Sequence, residues 1–250
     1  VDVYRSDGTA AGTRPILKLG CCSGNAPPRF VRLGNTVYFT AFGDLYRTDG
    51  TASGTTAVLA RDADGNPPIF DPNFPFALGN AVFVFADRPD GDENSLPGLF
   101  RIDAGQPVLL APAGHANPLD FDPQVTPLGG AVFFRAWDPD HGTELWRTDG
   151  TPQGTVLVAD LVAGPGSSDP QGLTVAGGRL YFSAWDEPHG RELWTSDGTA
   201  AGTHLVDDIA PGAFSSAPML LTPVAGRLFF TADDGLVGRE PWSVPLPVIP

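Results

Sequence analysis

The 250 residues carry 15 Lys and Arg against 29 Asp and Glu, and the resulting net charge of −14 argues against nucleic acid or an anionic membrane surface as the main partner. A hydrophobic share of 42% with 16 Phe is enough for a packed core and excludes global disorder. No run approaches the roughly 18 consecutive apolar residues that cross a bilayer, so membrane insertion is not expected.

In chain order, the sequence opens at Val1 with no Met and no charged-then-apolar leader, which reads as a processed form or an excised piece. The first segment, VYRSDGTAAGT (3–13) followed by RPILKL, starts inside a repeat, and its Asp-Gly marks a tight turn. LGCCSGN then holds the adjacent pair Cys21 and Cys22. A vicinal disulfide is one reading and two free thiols in a turn the other, since neighbouring Cα atoms only ~3.8 Å apart lie below the usual disulfide range.

TVYFTA (36–41) and GDLY (43–46) begin a pattern that returns to the end of the chain. The aromatic of each ELW-like phrase marks it: Tyr4, Tyr46, Phe100, Trp146, Trp194 and Trp242, at intervals of 42, 54, 46, 48 and 48. Between markers the runs keep one order, clearest at 154–194: GTVLVADL, QGLTVAGG, RLYFSAWD and RELWTSDG, each of strand length and separated by Gly, Pro, Asp and Ser clusters. TVYFTA, AVFVFA (81–86), AVFFRA (131–136), RLYFSA (179–184) and RLFFTA (227–232) are apolar on both faces, which predicts strands covered on both sides.

Small four-stranded sheets repeated about five times, each sandwiched between its neighbours, predict an all-β fold: a β-propeller of about five four-stranded blades in a single domain over 1–250. Ring closure is expected from the N-terminal strand, which would complete the last blade and hide two sheet edges. VDVYRSDG and REPWSV then claim the same place.

The segment 62–124 departs from the pattern, with LFRIDAGQPV (99–108) in place of the usual phrase. Its loops are acidic, with Asp62, Asp64, Asp87, Asp90 and Asp92 as a candidate calcium set; solvated acidic loops are the alternative, and DADGN departs from the EF-hand order.

In the regular copies, Asp138, His141 and Glu144 of WDPDHGTELW recur as Asp186, His189 and Glu192 of WDEPHGRELW. A His with two carboxylates suggests a metal, but the residues straddle a hairpin, and the Glu has the alternative of pairing with an Arg or with turn amides. Trp137 and Trp185 stand at the turn, where an aromatic face beside carboxylates suits a sugar. This makes Trp137, Asp138, His141, Trp185, Asp186 and His189 the candidate ligand-binding residues. The Trp residues within the following strands read as packing between blades. No GxSxG elbow, HExxH, Walker loop or Rossmann fingerprint is present, so no catalytic residue is assigned.

The phrases at 125–168 and 173–212 resemble the ELWxxDGT repeat family of bacterial proteins. The resemblance is strong over 125–243, recognisable in 1–61 and degraded in 62–124. It implies a propeller-like β repeat and a secreted or cell-surface location, and no particular activity. Three functions follow as expectations: a binding module presenting loops to a glycan or protein, a glycoside hydrolase or lyase with carboxylates at the channel mouth, or a structural spacer.

Overall fold

The computed structural model describes residues 2–18, 29–41, 43–87, 98–112 and 122–247. They form β-strands and no helix, and so contain no helix long and apolar enough to cross a membrane. Cys21, Cys22, Asp90 and Asp92 lie outside the described residues. The chain divides into two compact units, Val1–Pro112 and Ala113–Pro250.

The first unit holds three antiparallel sheets. β1 (Asp2–Arg5) pairs with β2 (Arg14–Lys18). β3 (Arg29–Leu33), β4 (Thr36–Ala41), β5 (Asp44–Thr48) and β6 (Thr56–Ala57) form a four-stranded meander, as do β7 (Phe70–Leu78), β8 (Ala81–Asp87), β9 (Gly98–Asp103) and β10 (Gln106–Pro112). The second unit continues the theme. β11 (Thr126–Leu128), β12 (Ala131–Asp138), β13 (Gly142–Thr148) and β14 (Val156–Ala159) form one sheet; β15 (Gln171–Ala176), β16 (Arg179–Asp186), β17 (Gly190–Ser196) and β18 (His204–Asp207) form the next. β19 (Met219–Val224), β20 (Arg227–Asp233) and β21 (Arg239–Pro245) form a three-stranded sheet.

The phase of the repeat differs from the sequence reading. GTVLVADL does not begin a sheet: its strand β14 is the last of the preceding one, because the DGT turn binds it to β13. That turn explains its own motif. Thr151 N and Oγ1 both donate to Asp149 Oδ1, at 2.9 and 2.7 Å, and Thr151 Oγ1 accepts Gly154 N at 3.0 Å. Thr155 Oγ1 closes the loop on Thr151 O at 2.7 Å. A Cβ on Gly154 would lie 2.0 Å from Asp149 Oδ1, and Gly12, Gly54 and Gly202 face Asp7, Asp49 and Asp197 in the same way. The second Gly of DGTxxGT is therefore fixed by contact with the Asp that organises the turn.

Closure by the N-terminal strand is not what the strand pairings give. β1 is bonded to β2 as a sheet of its own, and β19, β20 and β21 stay three-stranded. The local hairpin closes a loop of only a few residues, a small entropic cost beside pairing with strands more than 200 residues away.

The core lies between successive sheets. In the second unit, Phe133 and Leu145 of one sheet pack with Leu180, Phe182 and Trp194 of the next. Tyr181 and Leu193, on the other face of that middle sheet, pack with Leu228, Phe230 and Ala232. β16 is thus covered on both faces, as its unbroken apolar run predicts. β20 departs from the expectation for RLFFTA: Leu228, Phe230 and Ala232 are buried while Phe229 is 43% exposed.

Candidate functional site

The β12–β13 and β16–β17 hairpins bring the sequence-predicted Asp and His residues together twice, Asp138 with His141 and Asp186 with His189. Asp138 pairs across the hairpin with Gly142, and Asp186 with Gly190. Asp138 Oδ1 accepts the backbone N–H groups of Asp140 and His141, both at 2.8 Å, so the carboxylate caps its own turn. His141 Nδ1 lies 3.0 Å from both Asp138 oxygens, and His189 Nδ1 lies 2.8 Å from Asp186 Oδ2. These hydrogen bonds to Asp138 and Asp186 raise both imidazoles above the ordinary His range. With Nδ1 engaged, each ring has Nε2 as its free edge.

The turn is anchored from below by the loop that leads to the next sheet. A Cβ on Gly142 would lie 1.9 Å from Gly166 O, and one on Gly190 2.2 Å from Phe214 O, so both glycines (φ +63° and +67°) are set by a backbone crossing. Ser167 Oγ accepts Thr143 N at 2.9 Å, and Ser215 Oγ accepts Arg191 N at 2.8 Å.

Glu144 and Glu192 do not join the His and Asp pairs. Each points into the linking loop and is completely buried. Glu144 accepts Ser168 N at 2.9 Å and Ser168 Oγ at 2.5 Å. Glu192 accepts Ser216 N at 2.8 Å, Ser216 Oγ and Ile209 N at 3.2 Å. Desolvation pushes the Glu144 carboxyl up to about 7 against the pull of these donors, and raises Glu192 as well. Ser168 O in turn accepts Trp185 N at 2.8 Å, and Ser216 O accepts Asp233 N at 2.9 Å. The Glu–Ser pair therefore ties one sheet to the next. In β5 the place of the Glu is taken by Asp44, ion-paired with Arg61, and in β9 by Gly98.

Sequence reasoning missed four further residues that position this region. Asp169 bridges Arg135 at 2.9 Å and Arg191 at 3.1 Å, and Arg191 Nη1 also donates to Asp169 O at 2.8 Å. Burial lowers the Arg191 guanidinium from its ordinary value. Arg239 repeats the backbone part of this clamp on Ala217 O and Thr231 O, at 2.8 and 3.1 Å. The signal was present in the sequence as Arg at the same place in REL and REP.

Trp185, near the end of β16, is 36% exposed, whereas Trp194 is buried in the core and Trp146 and Trp242 are half-buried in their strands. Trp137 occupies the matching place in β12. The candidate calcium set is not gathered among the described residues. Asp62 caps its own loop, accepting Asp64 N at 3.0 Å and Asn66 N at 2.8 Å, while Asp87 ends β8 with its carboxyl raised by burial and then by Asp71. No group of three or more His, Cys, Asp or Glu able to hold a metal occurs among the described residues.

No family model matches the chain, and no curated protein matches it. Solved structures do. A dipeptidyl peptidase 4 of Porphyromonas gingivalis is similar at a TM-score of 0.58 and 11% identity, over 99% of this chain and 41% of that one. A mutant puromycin hydrolase complexed with PGG is similar at a TM-score of 0.50 and 19% identity, over 88% of this chain and 35% of that one. The fold is β-propeller-like. The chain spans about a third to two fifths of the length of these structures, and at such identities the likeness concerns the fold alone.

Proposed function

We propose that the chain is a binding module, a propeller scaffold of about five blades in one domain that presents a glycan or protein ligand with its hairpin tips. One observation carries the reading: the β12–β13 and β16–β17 hairpins, 48 residues apart, each end in a Trp followed by an Asp that pairs with a His, with Trp185 and His189 accessible. The other repeated polar groups are turned inward. The DGT carboxylates organise turns and the Glu carboxylates hold loops, which takes the most regular acids of the sequence away from hydrolysis. An exposed aromatic and a charged hydrogen-bonding pair on one hairpin suit a sugar ring or an aromatic-rich loop of a protein.

Membership of the ELWxxDGT repeat family and a secreted or cell-surface place belong to the same proposal, carried by the phrases at 125–168 and 173–212. The similar peptidase structures add a second context for a scaffold of this kind, as one part of a longer protein. Probing glycan and peptide arrays with the folded chain tests the proposal. Saturable capture lost in Trp185→Ala with Trp137→Ala supports it; an array with no hits contradicts it.

A further inference from the structure

In two places an Arg that follows the aromatic marker is met by the Asp-Gly turn of the succeeding sheet. Arg5 Nη1 donates to Gly50 O at 3.3 Å, with its Cδ 3.5 Å from where a Gly50 Cβ would stand. At Gly198 such a Cβ would lie 2.8 Å from the Phe133 ring and 3.7 Å from the Arg147 guanidinium. Phe133 and Arg147 are paired across β12 and β13. At Gly198 the receiving surface is therefore an aromatic and an arginine side by side, occupied by main chain of an Asp-Gly turn; at Gly50 the turn meets the arginine alone, beside an open cleft of about 450 Å³.

Tyr38 and Arg47, paired across β4 and β5, are the same two positions in the first unit. The succeeding sheet covers them in part: Tyr38 packs against the core that Val82, Val84 and Phe100 help to form, but Arg47 stays exposed because the turn is lost, β9 and β10 being joined through Ala104 (φ +49°) and Gly105 (φ +84°) alone. Those dihedrals are the two-residue reversal that replaces DGTxxGT with its shortest alternative. The short hairpin is held back from the gap, since Ala60 N donates to Gly105 O at 3.1 Å and a Cβ on Gly105 would lie 2.6 Å from Val58 O. A cleft of about 320 Å³ results, with Tyr38, Arg47 and Asn80 among its walls and Leu33, Val82 and Ile102 as apolar lining. Arg47 is exposed, and the hydrogen bond it makes, from Nε to Thr56 Oγ1 at 3.3 Å, leaves the outer nitrogens of its fork to a ligand.

We propose that this cleft is a peptide-binding site that receives an Asp-Gly turn from a partner polypeptide. The turn's carbonyl and carboxylate meet Arg47, its glycine lies against Tyr38, and the flanking side chain rests on the aliphatic lining. The choice of a peptide over a sugar follows from what fills the matching surface in this same chain. Glycine is demanded because a Cβ would strike the aromatic, as it would at Phe133. The site is separate from the hairpin tips and stands or falls independently of them.

The test uses a cyclised SDGTAAGT peptide, the sequence of residues 196–203, titrated calorimetrically into the folded chain. Saturable binding is expected, weakened at least about tenfold by Arg47→Ala, because a charge-assisted hydrogen bond is lost. Replacing Ala104 and Gly105 by the eight-residue SDGTAAGT turn fills the cleft and abolishes binding, with the circular dichroism spectrum unchanged. A control peptide with Val for its first Gly does not bind. Equal binding by the control peptide, or binding indifferent to both protein variants, overturns the proposal. So does a null titration, whatever ligand the arrays find for Trp185 and Trp137.

Discussion

Glu144 and Ser168 stand 24 residues apart and meet through two hydrogen bonds, Ser168 N to one carboxylate oxygen at 2.9 Å and Ser168 Oγ to the other at 2.5 Å. Glu192 and Ser216 repeat the arrangement at the same separation. The most conspicuous acid of each ELW phrase is thus a strut between sheets.

This strut makes stability depend on pH with a defined sign. A carboxyl raised from 4.5 to about 7 binds more protons in the folded chain than in the unfolded one between those values, so its contribution falls as pH rises through that window. The full difference is about 3 kcal/mol at most. Glu192, raised for the same reason, adds to the trend. Thermal unfolding of Glu144→Gln with Glu192→Gln should show a flatter profile from pH 4.5 to 8 than the parent. Glu144→Ala should lose about 2–4 kcal/mol at pH 5, since it strands buried donors.

The DGT turn predicts a coupling. Gly154→Ala forces a Cβ into the Asp149 carboxylate and should lower stability by about 2 kcal/mol or more. In an Asp149→Ala background the added cost should largely vanish, because the obstacle is gone. A double-mutant cycle by urea unfolding measures it, and equal costs in both backgrounds would contradict the contact.

These two features also show what was legible in the sequence. The turn was, because every donor and acceptor lies within eight residues and the motif repeats four times. So were the strands of β4, β8, β12 and β16, whose doubly apolar runs require two covering faces. The strut was half visible: both Glu residues are followed after 24 positions by the second Ser of a Ser-Ser pair, but nothing local marks a carboxylate as loop-facing. The fate of the N-terminal strand was not legible, since a local hairpin and a distant sheet edge offer the same kind of hydrogen bonds and differ in entropy. The cleft at Tyr38 and Arg47 was hidden for a different reason: it depends on a turn missing from another sheet.

The Asp–His pairs predict an NMR titration. His141 and His189 are held above the ordinary imidazole range by Asp138 and Asp186, so their contribution to stability is complete below about pH 6.5 and is lost as pH rises through their folded values. Asp138→Asn should bring His141 down toward the ordinary value while leaving His189 unchanged. A His141 titration unmoved by that substitution would show the pair to be unformed in solution.

Trp185 and Trp194 should behave differently. Trp194 is packed in the core with Phe133 and Leu180, and Trp194→Ala should cost about 3–5 kcal/mol. Trp185 is 36% exposed near its hairpin tip, and Trp185→Ala should cost clearly less stability than Trp194→Ala while weakening any ligand captured there.

Architecture and recognition rest on different residues of this chain, and one comparison tests that separation directly. The parent chain and the Glu144→Gln, Glu192→Gln variant are presented with polysaccharides and peptides at pH 5, and both retention and product formation are followed. Ligand capture of equal strength by the two proteins is expected, with no conversion by either. Turnover by the parent that disappears in the variant would contradict it, because the buried carboxylates would then be doing chemistry.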